Sequence, residues 1–112
     1  LHLDDADCIL ISYGASARSA RHLVNSRRQR GERLGLLELQ TLWPFPADMI
    51  RRKTAHASKI VVVELNMGQV LQSVKAAVDD PEKVYLANRI DGKLITDRDI
   101  YNILRMLHGK GV

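Results

Sequence analysis

Apolar residues in this chain fall into two alternating kinds of stretch. CILISY (8–13), LGLLEL (34–39), KIVVVEL (59–65) and KVYLAN (83–88) are short unbroken runs. Runs of this length, bounded by turn residues and rich in β-branched side chains, predict strands buried on both faces. The intervening segments are one-sided. Ser16 suits the cap of a first helix, with Ala17, Ala20, Leu23 and Val24 facing inward, an end near Arg30 and Gly31 as terminator. Pro46 suits the first turn of a second helix that runs through Met49 and Ile50 to about Ala57. Gly68 opens a third, with Val70, Leu71, Val74, Ala77 and Val78 at spacings of three and four. Asp91-Gly92 reads as a turn, after which Thr96 caps a fourth helix striped by Ile100, Ile103, Leu104 and Leu107. The final HGKGV reads as a frayed end, and Leu1 and Leu3, alternating with His2, as the remnant of an edge strand.

Strands that alternate with helices predict an α/β fold: a three-layer α/β/α sandwich around a mostly parallel sheet. Right-handed crossovers then place CILISY centrally, LGLLEL on one side, KIVVVEL on the other, and KVYLAN beyond it. This order puts a switch point between CILISY and KIVVVEL, where sheets of this kind bind ligands outside the strands' carboxyl ends. Two glycine-bearing loops meet there, Gly14-Ala15-Ser16 and Asn66-Met67-Gly68-Gln69. Their backbone N–H groups at helix starts suit an anion, so Gly14, Ser16 and Gly68 form a candidate anion crevice. Tight turning alone also explains each glycine. Neither loop carries GxGxxG or GxxxxGKS/T. Glu64, Asn66 and Gln69 cluster at the end of a buried strand, as ligand-facing groups or as caps of the loop and helix.

The segment QTLWPFPAD (40–48) contains the only tryptophan and the only phenylalanine, each followed by proline. The prolines make it a loop. Trp43 and Phe45 either fold back over the sheet edge and the next helix or anchor a contact with another domain or subunit. The second reading makes Trp43, Phe45, Asn66, Met67 and Gln69 the candidate interface.

The 112 residues fit one domain, 1–112, and the first residue is Leu, so the expectation is a piece of a longer polypeptide. No apolar stretch is long enough to span a membrane. Cys8 is the only cysteine, which excludes an internal disulfide and fits a small buried side chain in a reducing, cytoplasmic setting. The net charge of +4 is concentrated in ARSARHLVNSRRQRGER (17–33). That stretch is either the solvated face of a helix or a nucleic-acid footprint, and no aromatic side chains interleave with its arginines to stack on bases. His2, His22, His56 and His108 are scattered, without metal-ligand spacing. Ser12 and Ser16 have no evident base, and no GxSxG elbow is present. The sequence offers no catalytic residues, no metal ligands and no cofactor ligands.

ISYGASARSA (11–20), GLLELQTLWPFP (35–46), VVVELNMGQV (62–70) and NRIDGKLIT (88–96), in that order, resemble the C-terminal domain of the alpha subunit of 2-oxoacid:ferredoxin oxidoreductases, the 2-oxoglutarate type most closely. The likeness runs from about Ala6 to Leu107. It implies the transketolase C-terminal-domain fold, with one antiparallel edge strand of which Leu1–Leu3 would be the stub. It also implies a complete enzyme that decarboxylates a 2-oxoacid, joins the acyl group to coenzyme A and sends two electrons through iron–sulfur clusters to ferredoxin. Thiamine diphosphate and magnesium would lie between other domains of the alpha and beta subunits. The domain itself would be non-catalytic and would serve assembly, with the rest of the alpha subunit and a beta subunit as partners and neither nucleic acid nor membrane. A small-molecule module binding coenzyme A or another anion in the crevice is the alternative.

Overall fold

The computed structural model describes residues 2–14, 16–40, 44–64, 69–87 and 95–110, with the backbone alone for Gln69 and for 108–110. Its strands are β1 (Cys8–Tyr13), β2 (Leu34–Leu39), β3 (Lys59–Val63) and β4 (Val84–Ala87). The helices are α1 (Ser16–Arg28), α2 (Ala47–Thr54), α3 (Gln69–Ala77) and α4 (Asp97–Lys110), with a single 3-10 turn at Pro81–Lys83. The sheet order is β2-β1-β3-β4, as the crossover rule predicts, and every pairing is parallel.

Alternation along the strands divides the interior in two. Ile9 and Ile11 of β1, with Leu37, Ile60 and Val62, face Ile50 of α2 and Val70 and Val74 of α3. Leu10, with Leu36, Val61 and Val63, faces Ala20, Leu23 and Val24 of α1 and Ile100 of α4. Strands covered on both sides have no polar face, which is why their sequences read as unbroken apolar runs. The inward stripes expected of α1, α3 and α4 pack except for Ala17, which is half-buried outside both clusters, with Leu71, Ile103, Leu104 and Leu107 half-buried at the margins.

The helix ends use varied devices. Thr96 and Asp99 form a reciprocal cap at α4: Asp99 N–H donates to Thr96 Oγ1 at 3.1 Å, and Thr96 N–H donates to Asp99 Oδ2 at 3.0 Å. Gly31, at φ +83°, terminates α1 in a Schellman turn, with Gly31 N–H bonded to Arg28 O and Glu32 N–H to Arg27 O. The carbonyls at and just beyond the end of α2 are held from far along the chain: the Lys83 ammonium donates to Thr54 O, Ala55 O and Ala57 O at 2.9–3.3 Å.

The antiparallel edge strand suggested for Leu1–Leu3 is absent among the described residues. Residues 2–7 form a strap instead. Arg28 Nη2 donates to His2 O, His56 Nε2 donates to Leu3 O, and Leu3 packs on the α2/α3 core. His2 has φ 59°, which breaks an extended run. The strap lies so close to β2 that a Cβ on Gly35 would sit 2.7 Å from His2 O and 2.9 Å from Ala6 Cβ. A glycine is required there by proximity rather than by dihedral angle.

Candidate functional site

The predicted switch point lies between β1 and β3, and its described surroundings are Tyr13, Gly14, Ser16, Val63, Glu64 and the start of α3. Gly14 takes φ +73°, the left-handed conformation that lets the chain leave β1 and enter α1 within a tight turn. Ser16 is the first residue of α1 and is 1% exposed. It does not cap the helix as expected. Its Oγ lies 3.0 Å from Val63 O and 3.3 Å from Tyr13 O, so the hydroxyl donates outward to strand ends instead of accepting from helix N–H groups. The interaction joins α1 to the carboxyl ends of β1 and β3.

Glu64 is 3% exposed. Its carboxylate accepts from Val70 N–H at 3.3 Å and from Leu71 N–H at 2.9 Å, while its own N–H donates to Ala87 O at 3.2 Å. A carboxylate against the opening turn of a helix satisfies otherwise orphaned donors and complements the helix dipole. The chain therefore supplies its own anion to α3, and two donors that a ligand would need are already in use. Of the two readings for Glu64, the helix cap is the one observed.

Of the residues singled out from the sequence, Gly14 and Ser16 meet at this end of the sheet. Trp43, Asn66, Met67 and Gly68 lie outside the described residues, and Gln69 is described only as the first backbone position of α3. Phe45 is half-buried and packs, beside Met49, against the α2/α3 core. Its ring covers its own domain on at least one side. Tyr13, which sequence reasoning passed over as part of a strand, is 42% exposed at the carboxyl rim of β1. The available signal was its position as the last large residue before Gly14.

Three of the six arginines of the basic stretch are tied within the fold. Arg21 pairs with Glu38 and Arg27 with Glu32, while Arg28 holds both Asp5 oxygens and the carbonyls of His2 and Leu34. The Arg28 hydrogen bond holds the Asp5 carboxyl below its usual range. His22 Nδ1 meets Asp97 Oδ2 at 2.7 Å, joining α1 to α4. Among the described residues no three His, Cys, Asp or Glu side chains gather to hold a metal ion. Nor is any described helix long and apolar enough to cross a membrane. Burial pushes the Cys8 thiol up to about 12, which leaves it a poor nucleophile.

The fold and this rim define a three-layer α/β/α domain in which Ser16 and Glu64, the described switch-point polar side chains, bind its own backbone. Residues 6–100 match the family described as pyruvate:ferredoxin oxidoreductase core domain II, and the chain belongs to that family. It is 36% identical over 107 residues to ketoisovalerate oxidoreductase subunit VorB of Methanothermobacter thermautotrophicus, covering 96% of this chain and 30% of that protein. It is 37% identical over 99 residues to 2-oxoglutarate synthase subunit KorA of Methanothermobacter marburgensis, covering 88% of this chain and 26% of that subunit. The chain thus spans less than a third of the length of these relatives. A solved structure of 2-oxoglutarate:ferredoxin oxidoreductase from Magnetococcus marinus, with 2-oxoglutarate, coenzyme A and succinyl-CoA bound, superposes with a TM-score of 0.82. That match has 22% identity and covers 91% of this chain and 18% of the other, and it establishes the shared fold.

Proposed function

We propose that this chain is a non-catalytic assembly domain of the alpha subunit of a thiamine-diphosphate-dependent 2-oxoacid:ferredoxin oxidoreductase, of the 2-oxoglutarate type. The observation that carries this reading is the use made of the switch point. Glu64 takes two α3 donors and Ser16 ties α1 to Val63, so the two described polar side chains where a parallel sheet offers a ligand site serve the fold. The same Glu64 carboxylate weighs against the alternative anion-binding module, because an incoming anion would face a buried negative charge. The complete enzyme would act in the cytoplasm, forming acyl-CoA from a 2-oxoacid and coenzyme A and passing electrons through iron–sulfur clusters to ferredoxin. Thiamine diphosphate, magnesium and the clusters would be held by other domains of the alpha and beta subunits.

The contact in this reading is made by Tyr13 at the carboxyl rim together with Trp43, Phe45, Asn66, Met67 and Gln69. The test is co-purification of full-length alpha with its beta subunit, together with 2-oxoacid-dependent ferredoxin reduction. Tyr13→Ala and Trp43→Ala should each weaken assembly and lower turnover in proportion, with the alpha subunit still folded. Wild-type assembly and turnover in the double variant would remove the rim's assigned role.

A further inference from the structure

The amino end of the sheet is built differently. A cleft of about 810 Å³ opens there, floored by the strand starts Cys8 and Leu34 and walled by Leu104 of α4. Its size falls within the roughly 300–1,000 Å³ of small-molecule sites. Four cations line it, Arg27, Arg33, Lys59 and Arg105, together with the carboxylates of Asp7 and Glu32. Glu32 is bonded to Arg27, leaving three cations facing one carboxylate. Among the described residues Arg33, Lys59 and Arg105 form no ion pair. Like charges gathered on a concave, partly apolar surface repel one another and focus a positive potential into the cleft.

The neighbouring groups do little to oppose an anion. The Schellman turn at Gly31 closes the Arg27 and Arg28 carbonyls that would otherwise point outward at the end of α1. The Cys8 thiol is neutral at physiological pH, its pKa raised to about 12 by burial. The Arg27 guanidinium lies 4.2 Å from the centre of the Tyr101 ring, so one wall is fixed by a cation–π contact and the Glu32 pair together.

We propose that this cleft binds a phosphorylated small molecule, its phosphate held by Arg33, Lys59 and Arg105 and its uncharged part resting on Leu34 and Leu104. Guanidinium groups match phosphate oxygens in pairs, and the ammonium adds a point charge. The site is separate from the carboxyl rim, so its existence does not depend on the assembly role.

The test is backbone hydrogen exchange of the full-length polypeptide with millimolar ADP or inorganic pyrophosphate, paired with equilibrium titration. Protection is expected at the amides of residues 31–34 and 58–59. The Arg33→Glu/Lys59→Glu double variant should bind ADP at least about tenfold more weakly while still unfolding cooperatively, since among the described residues neither side chain forms an ion pair. ADP should bind more tightly than pyrophosphate because only ADP reaches the apolar floor. Arg105→Glu provides an independent check from the opposite wall. No protection at these amides, or coincident titrations of parent and variants, would overturn the proposal. Equal affinities for ADP and pyrophosphate would overturn the role of Leu34 and Leu104.

Discussion

Ser12 is 0% exposed, and its Oγ has no hydrogen-bond partner among the described residues. It lies in β1 between Glu38 of β2 and Val63 of β3, and alternation puts it on the same face as Leu10, under α1 and α4. A hydroxyl buried without a partner costs about 1–3 kcal/mol against its hydrated state. Ser12→Ala removes that cost and leaves a space on the order of one oxygen atom, worth roughly 0.3 kcal/mol of cavity penalty. The expected net result is a stabilisation of about 1 kcal/mol. For a chain of this size that raises Tm by about 4–8 °C. Urea unfolding of the 112-residue chain is the direct assay: the midpoint should rise with the m-value unchanged. Ser12→Thr, which keeps the hydroxyl and adds a methyl group to a closed interior, should give no such gain. A Ser12→Ala variant less stable than the parent by 1 kcal/mol or more would refute the reasoning, because it would mean that the hydroxyl has a partner.

Three further outcomes follow from the geometry. Glu64→Ala should destabilise the chain by about 2–4 kcal/mol, through lost charged hydrogen bonds and two buried donors left open, and Glu64→Gln by less, both read from urea midpoints. Gly35→Ala should lower the midpoint by about 1–3 kcal/mol by forcing the strap off β2, with faster hydrogen exchange at Ala6 N–H as a local readout. Burial raises the Cys8 pKa from 9.0 to about 12, so its reaction with a disulfide reagent at neutral pH should be about a thousandfold slower than in the denatured chain. The sign for stability follows: the buried neutral thiol's contribution is complete below pH 9 and is lost as pH rises toward 12.

Much of the architecture was legible because parallel sheets write themselves into sequence. A strand covered on both faces, such as β1, must be apolar throughout, and the right-handed crossover then leaves few strand orders. The stripes of α1, α3 and α4 were legible for the same reason: each has a single face to bury. Features joining distant residues were not. Lys83 at the end of α2 and Arg28 on the strap act across 26–29 positions. Long cations look alike in sequence whether they face water or reach a carbonyl. Thr96 could be read as a cap because its partner Asp99 is three residues away. Ser16, at a similar position, turned outward because Val63 O lies within its reach. The candidate interface rests on composition and resemblance, and most of it falls outside the described residues.

The two ends of the sheet differ in electrostatics, and the difference bears on where a ligand can sit. In a parallel sheet the turns into the helices gather at the strands' carboxyl ends, which makes that end attractive to anions. Here Glu64 places a buried carboxylate against the start of α3, and Ser16 fastens α1 to Val63. At α3 the attraction is thus answered internally, and among the described residues Tyr13 stands outward at the rim. At the amino end, where helix ends favour cations, the α1 carbonyls are capped by their own backbone, while Arg33, Lys59 and Arg105 line a cleft and form no ion pair among the described residues. An arrangement governed only by helix dipoles would bind anions at the carboxyl end. In this domain side chains reverse that preference, and reversal of the Arg33 and Lys59 charges should abolish it while leaving the rim untouched.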